Sequence, residues 1–133
     1  MGSLVVTTAV QMRFSDIDSY GHVNNLALQS YFDLGKVDLF EQVWAKAGES
    51  SVSVMVASVH TDFLSQVRFG EQISVVTEVE RVGCKSITLL QRIMRLGEEC
   101  ARSRAVMVAY DKQQERSVEV PEAWRIAIGQ DIK

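Results

Sequence analysis

The segment from Arg13 to Asn25 holds the residues of this chain whose types and spacing best suit chemistry. Two carboxylates, Asp16 and Asp18, precede a glycine, His22 and two asparagines. An apolar-periodic segment follows directly, which predicts a tight polar turn leading into a helix N-terminus. Free backbone N–H groups at such a position bind a developing oxyanion, and a neighbouring carboxylate acts as general base or nucleophile. The pattern indicates an acyl-transfer site, although Asp-x-Asp before a helix is also typical of a simple cap and turn.

The composition argues against several other classes of protein. A chain of 133 residues with 47% hydrophobic and 23% charged residues fits one soluble globular domain over residues 1–133. A net charge of −3 leaves no basic stripe for nucleic acid. We see no membrane span and no signal peptide, and expect a cytoplasmic protein. Two cysteines and two histidines, all far apart, predict neither a disulfide framework nor a zinc site.

The elements that would position this segment begin with one long helix. Residues 25–46 carry apolar positions at spacings of four, three, four and four, which places them on one helix face. These positions are Leu28, Phe32, Gly35, Leu39 and Val43. Asn24 or Asn25 is the expected N-cap. Gly35 on the apolar face indicates either close approach to a flat surface, such as a sheet, or an ordinary weak position in the helix.

The rest of the chain predicts strands. Residues 4–14 are rich in β-branched types, and further strand-like stretches follow the helix at 52–66, 71–82, 86–96 and 100–110. Turns at Gly70, Gly83 and Gly97 indicate antiparallel hairpins, and Pro121 opens a short helix running to about Gly129. This order predicts an α+β domain whose sheet curls around the long helix. One helix leaves sheet surface and edges open, so we expect self-association.

Three motifs in this order resemble those of the hotdog-fold acyl-CoA thioesterases of the 4-hydroxybenzoyl-CoA thioesterase family. The first combines residues 13–18 and 21–25 with Tyr31 and Phe32, the second is residues 62–71, and the third is residues 85–87. The resemblance covers roughly residues 8–125 and implies a hotdog fold, a curved antiparallel sheet of about five strands wrapped around one long central helix.

The chain also departs from the family pattern at three positions. Gln66 and Glu71 stand where the family usually has proline and aspartate. Cys84 lies where one branch of the family has arginines for the CoA phosphates. The first two departures lie outside the presumed catalytic turn and bear on substrate detail, whereas the third bears on how phosphate is bound.

The resemblance implies an acyl-CoA thioesterase that needs neither metal nor cofactor. The family's catalytic carboxylate matches Asp18, which would attack the thioester carbonyl or deprotonate a water. His22 would position the thioester or water, or hold the turn by a hydrogen bond, and Asp16 would orient the turn. The expected substrate-binding residues are Tyr20, Gly21, Val23, Asn24, Asn25, Tyr31, Lys85 and Ser86.

The partners implied are an acyl-CoA and further copies of this chain. Lys85 and Ser86, a cation and a hydroxyl at a hairpin end, suit the CoA phosphates. Arg102 and Arg104 either join them or form a solvated strand face. The resemblance further implies a homodimer or homotetramer with the active site at the subunit interface.

Three alternatives share the same fold. One is a thioesterase for acyl groups on acyl carrier protein, another is a non-catalytic acyl-CoA or acyl-carrier-protein binding domain, and the third is a dehydratase. A binding domain has no need of Asp18 at the helix mouth, and His22 and His60 fit a dehydratase poorly. No Gly-x-Ser-x-Gly nucleophile motif is present, which argues against a serine hydrolase.

Overall fold

A curved antiparallel sheet and one long helix make up most of the structure, a computed structural model that describes residues 4–129. The strands are β1 (Val5–Ala9), β2 (Val52–Phe63), β3 (Ser74–Val82), β4 (Ser86–Arg95), β5 (Glu98–Asp111) and the two-residue β6 (Arg116–Ser117). The helices are α1 (Asn25–Ala47) and α2 (Glu122–Ile128), and a 3₁₀ turn spans Phe14–Asp16. The sheet order is β1-β3-β4-β5-β2, with β6 beside β5. This confirms the predicted α+β hotdog arrangement.

The inner face of the sheet packs on α1, and side chains that alternate between the two faces of each strand therefore alternate between buried and exposed. In β4 and β5 every second residue is buried over most of the strand, and the residues between them point to the outer face. Asn24 is the N-cap of α1, and its side chain accepts a hydrogen bond from the Ala27 backbone N–H at 2.7 Å. None of the helices within residues 4–129 is long and apolar enough to cross a membrane.

A row of polar residues divides the core into two apolar clusters. Thr61, Ser103, Gln91 and Thr77 are successive register partners across β2, β5, β4 and β3. Gln91 is 1% exposed, and its Nε2 donates to the Phe32 carbonyl at 2.8 Å and to Thr77 Oγ1 at 3.0 Å. This polar row lies beneath α1, with one apolar cluster towards each end of the helix.

Gly35 lets α1 approach this row closely, the first of the two interpretations that the sequence left open. A Cβ at this position would overlap Thr77 Oγ1 and lie 2.8 Å from Val75 Cγ1 and 2.9 Å from Gln91 Nε2. Real Cβ atoms do not come so near to other heavy atoms. The missing side chain therefore sets the distance between helix and sheet.

Three predicted strand boundaries are wrong by three residues or more, and β6 was not predicted. The strand predicted at 71–82 begins at Ser74, where its pairing with β1 and β4 begins. The turn at Gly70 does not form a hairpin, because β2 pairs with β5 and β3 pairs with β1 and β4. The first strand ends at Ala9 rather than residue 14 because its partner β3 begins at Ser74, which is paired with Ala9. The predicted strand 52–66 ends at Phe63 because the backbone N–H groups of Leu64 and Ser65 both donate to one carbonyl, that of Cys100. Residues 64–71 form a loop instead, which we call the 64–71 loop.

Candidate active site

The turn from Asp18 to Asn24, called here the Asp18 turn, is closed by its own backbone. The Asp18 N–H donates to the His22 carbonyl at 2.8 Å, and the Gly21 N–H donates to the Asp18 carbonyl at 3.2 Å. Gly21 has a φ of 82°, in the left-handed region that favours glycine. The turn thus folds back on itself just before α1 begins.

The Asp18 carboxylate is held within this turn by backbone donors. Its Oδ1 accepts from the N–H of Tyr20 at 2.9 Å and from that of His22 at 3.1 Å. These bonds, that of Tyr20 foremost, lower the pKa of Asp18 below its ordinary value. Asp18 is exposed to solvent and is an ionised acceptor at neutral pH.

Asp16 and Tyr31 lie beneath the turn and tie it to α1. Tyr31 is 3% exposed and its hydroxyl donates to Asp16 Oδ2 at 2.6 Å, while the Arg13 N–H donates to the same oxygen at 2.9 Å. The bond from Tyr31 is the main cause that lowers the pKa of Asp16. Burial, followed by the bond to Asp16, raises the pKa of Tyr31. The Asp16 carbonyl also accepts from the Asn24 N–H at 2.9 Å, so these contacts fix the turn.

The start of α1, which follows the Asp18 turn, supplies unpaired N–H groups. The Ala27 N–H is capped by the Asn24 side chain, and the Leu28 N–H donates to the Asn24 carbonyl at 3.1 Å. Among residues 4–129, no hydrogen bond uses the N–H groups of Asn25 and Leu26. Such groups at a helix N-terminus stabilise negative charge.

A groove of about 510 Å³ opens between the Asp18 turn and the end of β2. Residues from the turn and from the start of α1 form one wall, and the other wall comes from β2 and the 64–71 loop. The lining residues are Asp18, His22, Val23, Asn24, Asn25, Leu28, Phe63, Leu64, Ser65 and Gln66. The groove therefore presents a carboxylate, an imidazole and a helix N-terminus to one space, with apolar surface beside them.

The structure brings five of the predicted site residues together at this groove: Asp18, His22, Val23, Asn24 and Asn25. Gly21 and Tyr20 lie in the same turn, and the Tyr20 ring is 84% exposed. Tyr31 is beneath the turn rather than in the groove, so its contact with substrate stays a prediction. Five other groove residues were not predicted as site residues: Leu28 was assigned to the apolar helix face, and Phe63, Leu64, Ser65 and Gln66 belonged to the second motif without an assigned role.

Lys85 and Ser86 lie at the other end of the sheet. Ser86 is the first residue of β4. The groove adjoins Phe63, whose register partner in β5 is Ala101, and Ala101 is in turn opposite Ile93 of β4. Ile93 therefore marks the level of the groove on β4. Seven residues of strand separate Ser86 from Ile93, or about 23 Å at about 3.3 Å per residue. Within one chain these two residues do not reach the groove.

The outer face of the sheet carries the remaining charged candidates. Arg102 pairs with Glu99 at 2.9 Å, and Arg104 pairs with Glu80 at 2.8 Å. His60 Nε2 lies 3.4 Å from an oxygen of Asp62, also on an exposed surface. Throughout residues 4–129, no three His, Cys, Asp or Glu side chains are grouped so as to hold a metal ion.

The edge strand β2 exposes both backbone and apolar side chains. In the part of the chain that the structure describes, β2 pairs on one side only, with β5. Along it, Met55 is 53% exposed, Val56 48%, Val59 40% and Phe63 42%. An open strand of this length with apolar side chains is a surface that proteins normally cover.

Comparison with known proteins gives consistent matches over nearly the whole chain. Residues 12–128 match the family model of the thioesterase-like superfamily. The uncharacterized protein YsmA of Bacillus subtilis (strain 168) is 31% identical over 110 residues, which cover 82% of this chain and 75% of YsmA.

Two solved structures are similar in fold and sequence. A predicted thioesterase from Bacillus stearothermophilus has a TM-score of 0.85 and 26% identity, with 94% of each chain covered. A thioesterase from Thermus thermophilus, complexed with coenzyme A and Zn, has a TM-score of 0.82 and 28% identity, covering 96% of this chain and 99% of that one.

Proposed function

The chain belongs to the thioesterase-like superfamily and is a thioester hydrolase, and we propose that it hydrolyses an acyl-CoA to a free acid and CoA at the groove beside Asp18. The observation that carries the proposal is that an ionised carboxylate, Asp18, and the N-terminus of α1 line the same groove. The coenzyme A bound by the Thermus thermophilus thioesterase supports CoA as the carrier of the acyl group.

The groove can stabilise both the nucleophile and the charge that develops on the substrate. A thioester carbonyl placed at the N-terminus of α1 would accept from the N–H groups of Asn25 and Leu26, which stabilise the oxyanion of a tetrahedral intermediate. Asp18 would take a proton from a water that attacks the carbonyl carbon, or attack that carbon itself. When Asp18 acts as base, the C–S bond then breaks and the proton taken from the water passes to the CoA sulfur, which leaves the free acid. When Asp18 attacks, CoA leaves as a thiolate that takes a proton from solvent, and a water then hydrolyses the mixed anhydride on Asp18 to the free acid.

His22 has a positioning role in this scheme. Its backbone N–H donates to Asp18, and the residue lines the groove. We propose that the imidazole orients the thioester or the attacking water. Asp16 is assigned to the structure of the turn, since it is buried and already satisfied by Tyr31 and Arg13.

A homodimer formed through β2 would complete the CoA site. Two copies of an edge strand related by a two-fold axis pair antiparallel, which brings the Val52 end of the partner's strand to the Phe63 end of this one. Ser86 is in register with Val108, and Val108 with Met55. The β4 start of a second copy would then lie about three strand spacings, or about 14 Å, to the side of this β2, and about three residues, or about 10 Å, along the strand from Phe63. We propose that Lys85 and Ser86 of that copy contact the CoA phosphates.

The substitution Asp18→Asn tests the catalytic assignment. It keeps shape and hydrogen-bonding capacity but removes the charge, so kcat for acyl-CoA hydrolysis should fall by about 10²–10⁴-fold, with KM nearly unchanged. Released thiol measures the rate. Glu41→Gln, the same change from carboxylate to amide on the exposed side of α1, is the control and should leave the rate unchanged.

The possible outcomes separate the competing functions. A folded Asp18→Asn protein with near wild-type turnover would refute the catalytic assignment. Binding of acyl-CoA without hydrolysis by the wild-type protein would favour the binding-domain alternative. Hydrolysis of acyl groups only on acyl carrier protein would reassign the substrate.

A further inference from the structure

Arg95, outside the groove, makes an unusually complete set of contacts with the 64–71 loop. It ends β4, and its side chain is 16% exposed. Its Nη1 donates to the Gln66 carbonyl at 2.7 Å and to Glu71 Oε1 at 3.0 Å. Its Nη2 donates to Ser65 Oγ at 3.1 Å and to Glu98 Oε1 at 2.5 Å. One guanidinium thus joins both ends of the loop to the β4–β5 hairpin.

The same loop is bonded along its middle to the Asp18 turn. The Val23 N–H donates to the Val67 carbonyl at 2.7 Å, and the Phe69 N–H donates to the Gly21 carbonyl at 3.1 Å. His22 and the intervening Arg68 form an isolated β-bridge. The turn that holds Asp18 therefore lies on a short two-stranded ladder whose other strand is this loop.

Glu71 is bonded to the Arg68 backbone within the loop. Its Oε1, which accepts from Arg95, also accepts from the Arg68 N–H at 2.7 Å, and its own N–H donates to the Arg68 carbonyl at 3.2 Å. The Glu71 carboxylate thus connects Arg95 to Arg68, the residue that forms the β-bridge with His22. Without the guanidinium, Glu71 and Glu98 would keep their charges and lose their shared cation.

We propose that Arg95 is a positioning residue for thioester hydrolysis: it fixes the 64–71 loop, which sets the position of the Asp18 turn relative to the N-terminus of α1. The inference rests on the proposed role of Asp18. A displacement of about 1 Å between reacting groups can cost about 10²-fold in rate. Ser65 and Gln66, which Arg95 contacts directly, also form one wall of the groove, so the same side chain shapes the space for substrate.

The test compares Arg95→Met, Arg95→Lys and the control Arg92→Met. Arg92 is an exposed arginine on the same strand, and within residues 4–129 no hydrogen bond or ion pair joins it to the loop. We expect Arg95→Met to lower kcat by about 10–100-fold and to change KM by less than about threefold. Arg95→Lys should restore part of kcat, since an ammonium keeps the charge but cannot reproduce the planar fork. Arg92→Met should match the wild type.

The pH dependence of kcat provides a readout that general destabilisation would not move. Asp18 and His22 are the titratable side chains that line the groove, and backbone bonds from Tyr20 and His22 hold the pKa of Asp18 low. If the turn loosens, these bonds weaken and the acid limb of the kcat profile moves to higher pH. The shift should be seen in Arg95→Met and be absent in Arg92→Met.

The outcomes distinguish this inference from the proposed function. A fall in melting temperature with unchanged kcat and an unchanged acid limb would make Arg95 merely structural and overturn the inference alone. Near wild-type turnover in Asp18→Asn would instead overturn the proposed function. If Arg95→Met does not fold, Glu71→Gln weakens the same connection and should give a smaller fall in kcat in the same direction, and no fall would overturn the inference.

Discussion

Replacement of Gly35 by alanine tests how closely α1 is held to the sheet. The added Cβ would overlap Thr77 Oγ1 and press on Gln91 Nε2, at 2.9 Å. The neighbours cannot move without breaking the bonds from Gln91 to the Phe32 carbonyl and to Thr77. Alanine is ordinarily favoured over glycine in a helix by about 1 kcal/mol, so propensity alone would predict a more stable protein.

The structure predicts the opposite sign. Overpacking costs about 1–3 kcal/mol, and a buried amide that loses its partners costs about 1–3 kcal/mol more. After the helix gain is subtracted, the free energy of unfolding should fall by about 1–5 kcal/mol, which lowers the melting temperature by at least about 4 °C. Thermal unfolding followed by circular dichroism measures the change.

Two further variants make the Gly35 test specific. Ser30→Ala, on the exposed side of the same helix, should change stability by less than about 0.5 kcal/mol. Thr77→Ala removes the atom that the new Cβ would overlap, so Gly35→Ala should cost less in that background than in the wild type. A Gly35→Ala protein at least as stable as the wild type would refute the close approach of helix and sheet.

The remaining predictions concern the pH dependence of stability, the binding of CoA and the assembly of subunits. Tyr31→Phe removes the donor to Asp16 and should cost about 1.5–3 kcal/mol at pH 7, measured by urea unfolding. The pKa of Asp16 is lowered in the folded state, so the ionised carboxylate stabilises the fold at pH values above its unfolded pKa. This stabilisation is lost as pH falls through the folded pKa. The difference in unfolding free energy between wild type and Tyr31→Phe should therefore shrink as pH falls below 3.8. Lys85→Ala should raise KM for acyl-CoA about fivefold with little change in kcat, and equal constants would make Lys85 an ordinary hairpin lysine. Light scattering at micromolar concentration should show a dimer or tetramer, and a strict monomer would contradict the shared site.

The sequence predicted the elements that depend on local pattern. The 3.6-residue periodicity located α1, and the asparagine pair located its N-cap at Asn24. The turn around Asp18 followed from residue types that form turns and caps. These features are encoded by neighbours along the chain, which is why they could be read without a structure.

The features that the sequence did not reveal depend on distant pairing. Arg95 lies more than seventy residues from Asp18 along the chain, and nothing in its local pattern links it to the site. The end of β1 at Ala9 depended on where β3 begins. Residues 64–66 were predicted as the end of a strand. The backbone N–H groups of Leu64 and Ser65 share the Cys100 carbonyl instead, a contact that no local pattern indicates.

The close contact at Gly35 also bears on how such a protein could change its substrate over evolution. Since α1 lies directly on the polar row, the interior beneath the helix has no room for a longer acyl chain. Extra length would have to run along the exposed side of the groove, past Phe63 and Val59 on the edge strand. Substitutions there would alter the proposed β2 interface and leave the core beneath α1 intact. A change in the range of acyl groups accepted would therefore be coupled to subunit assembly more than to the packing of the core.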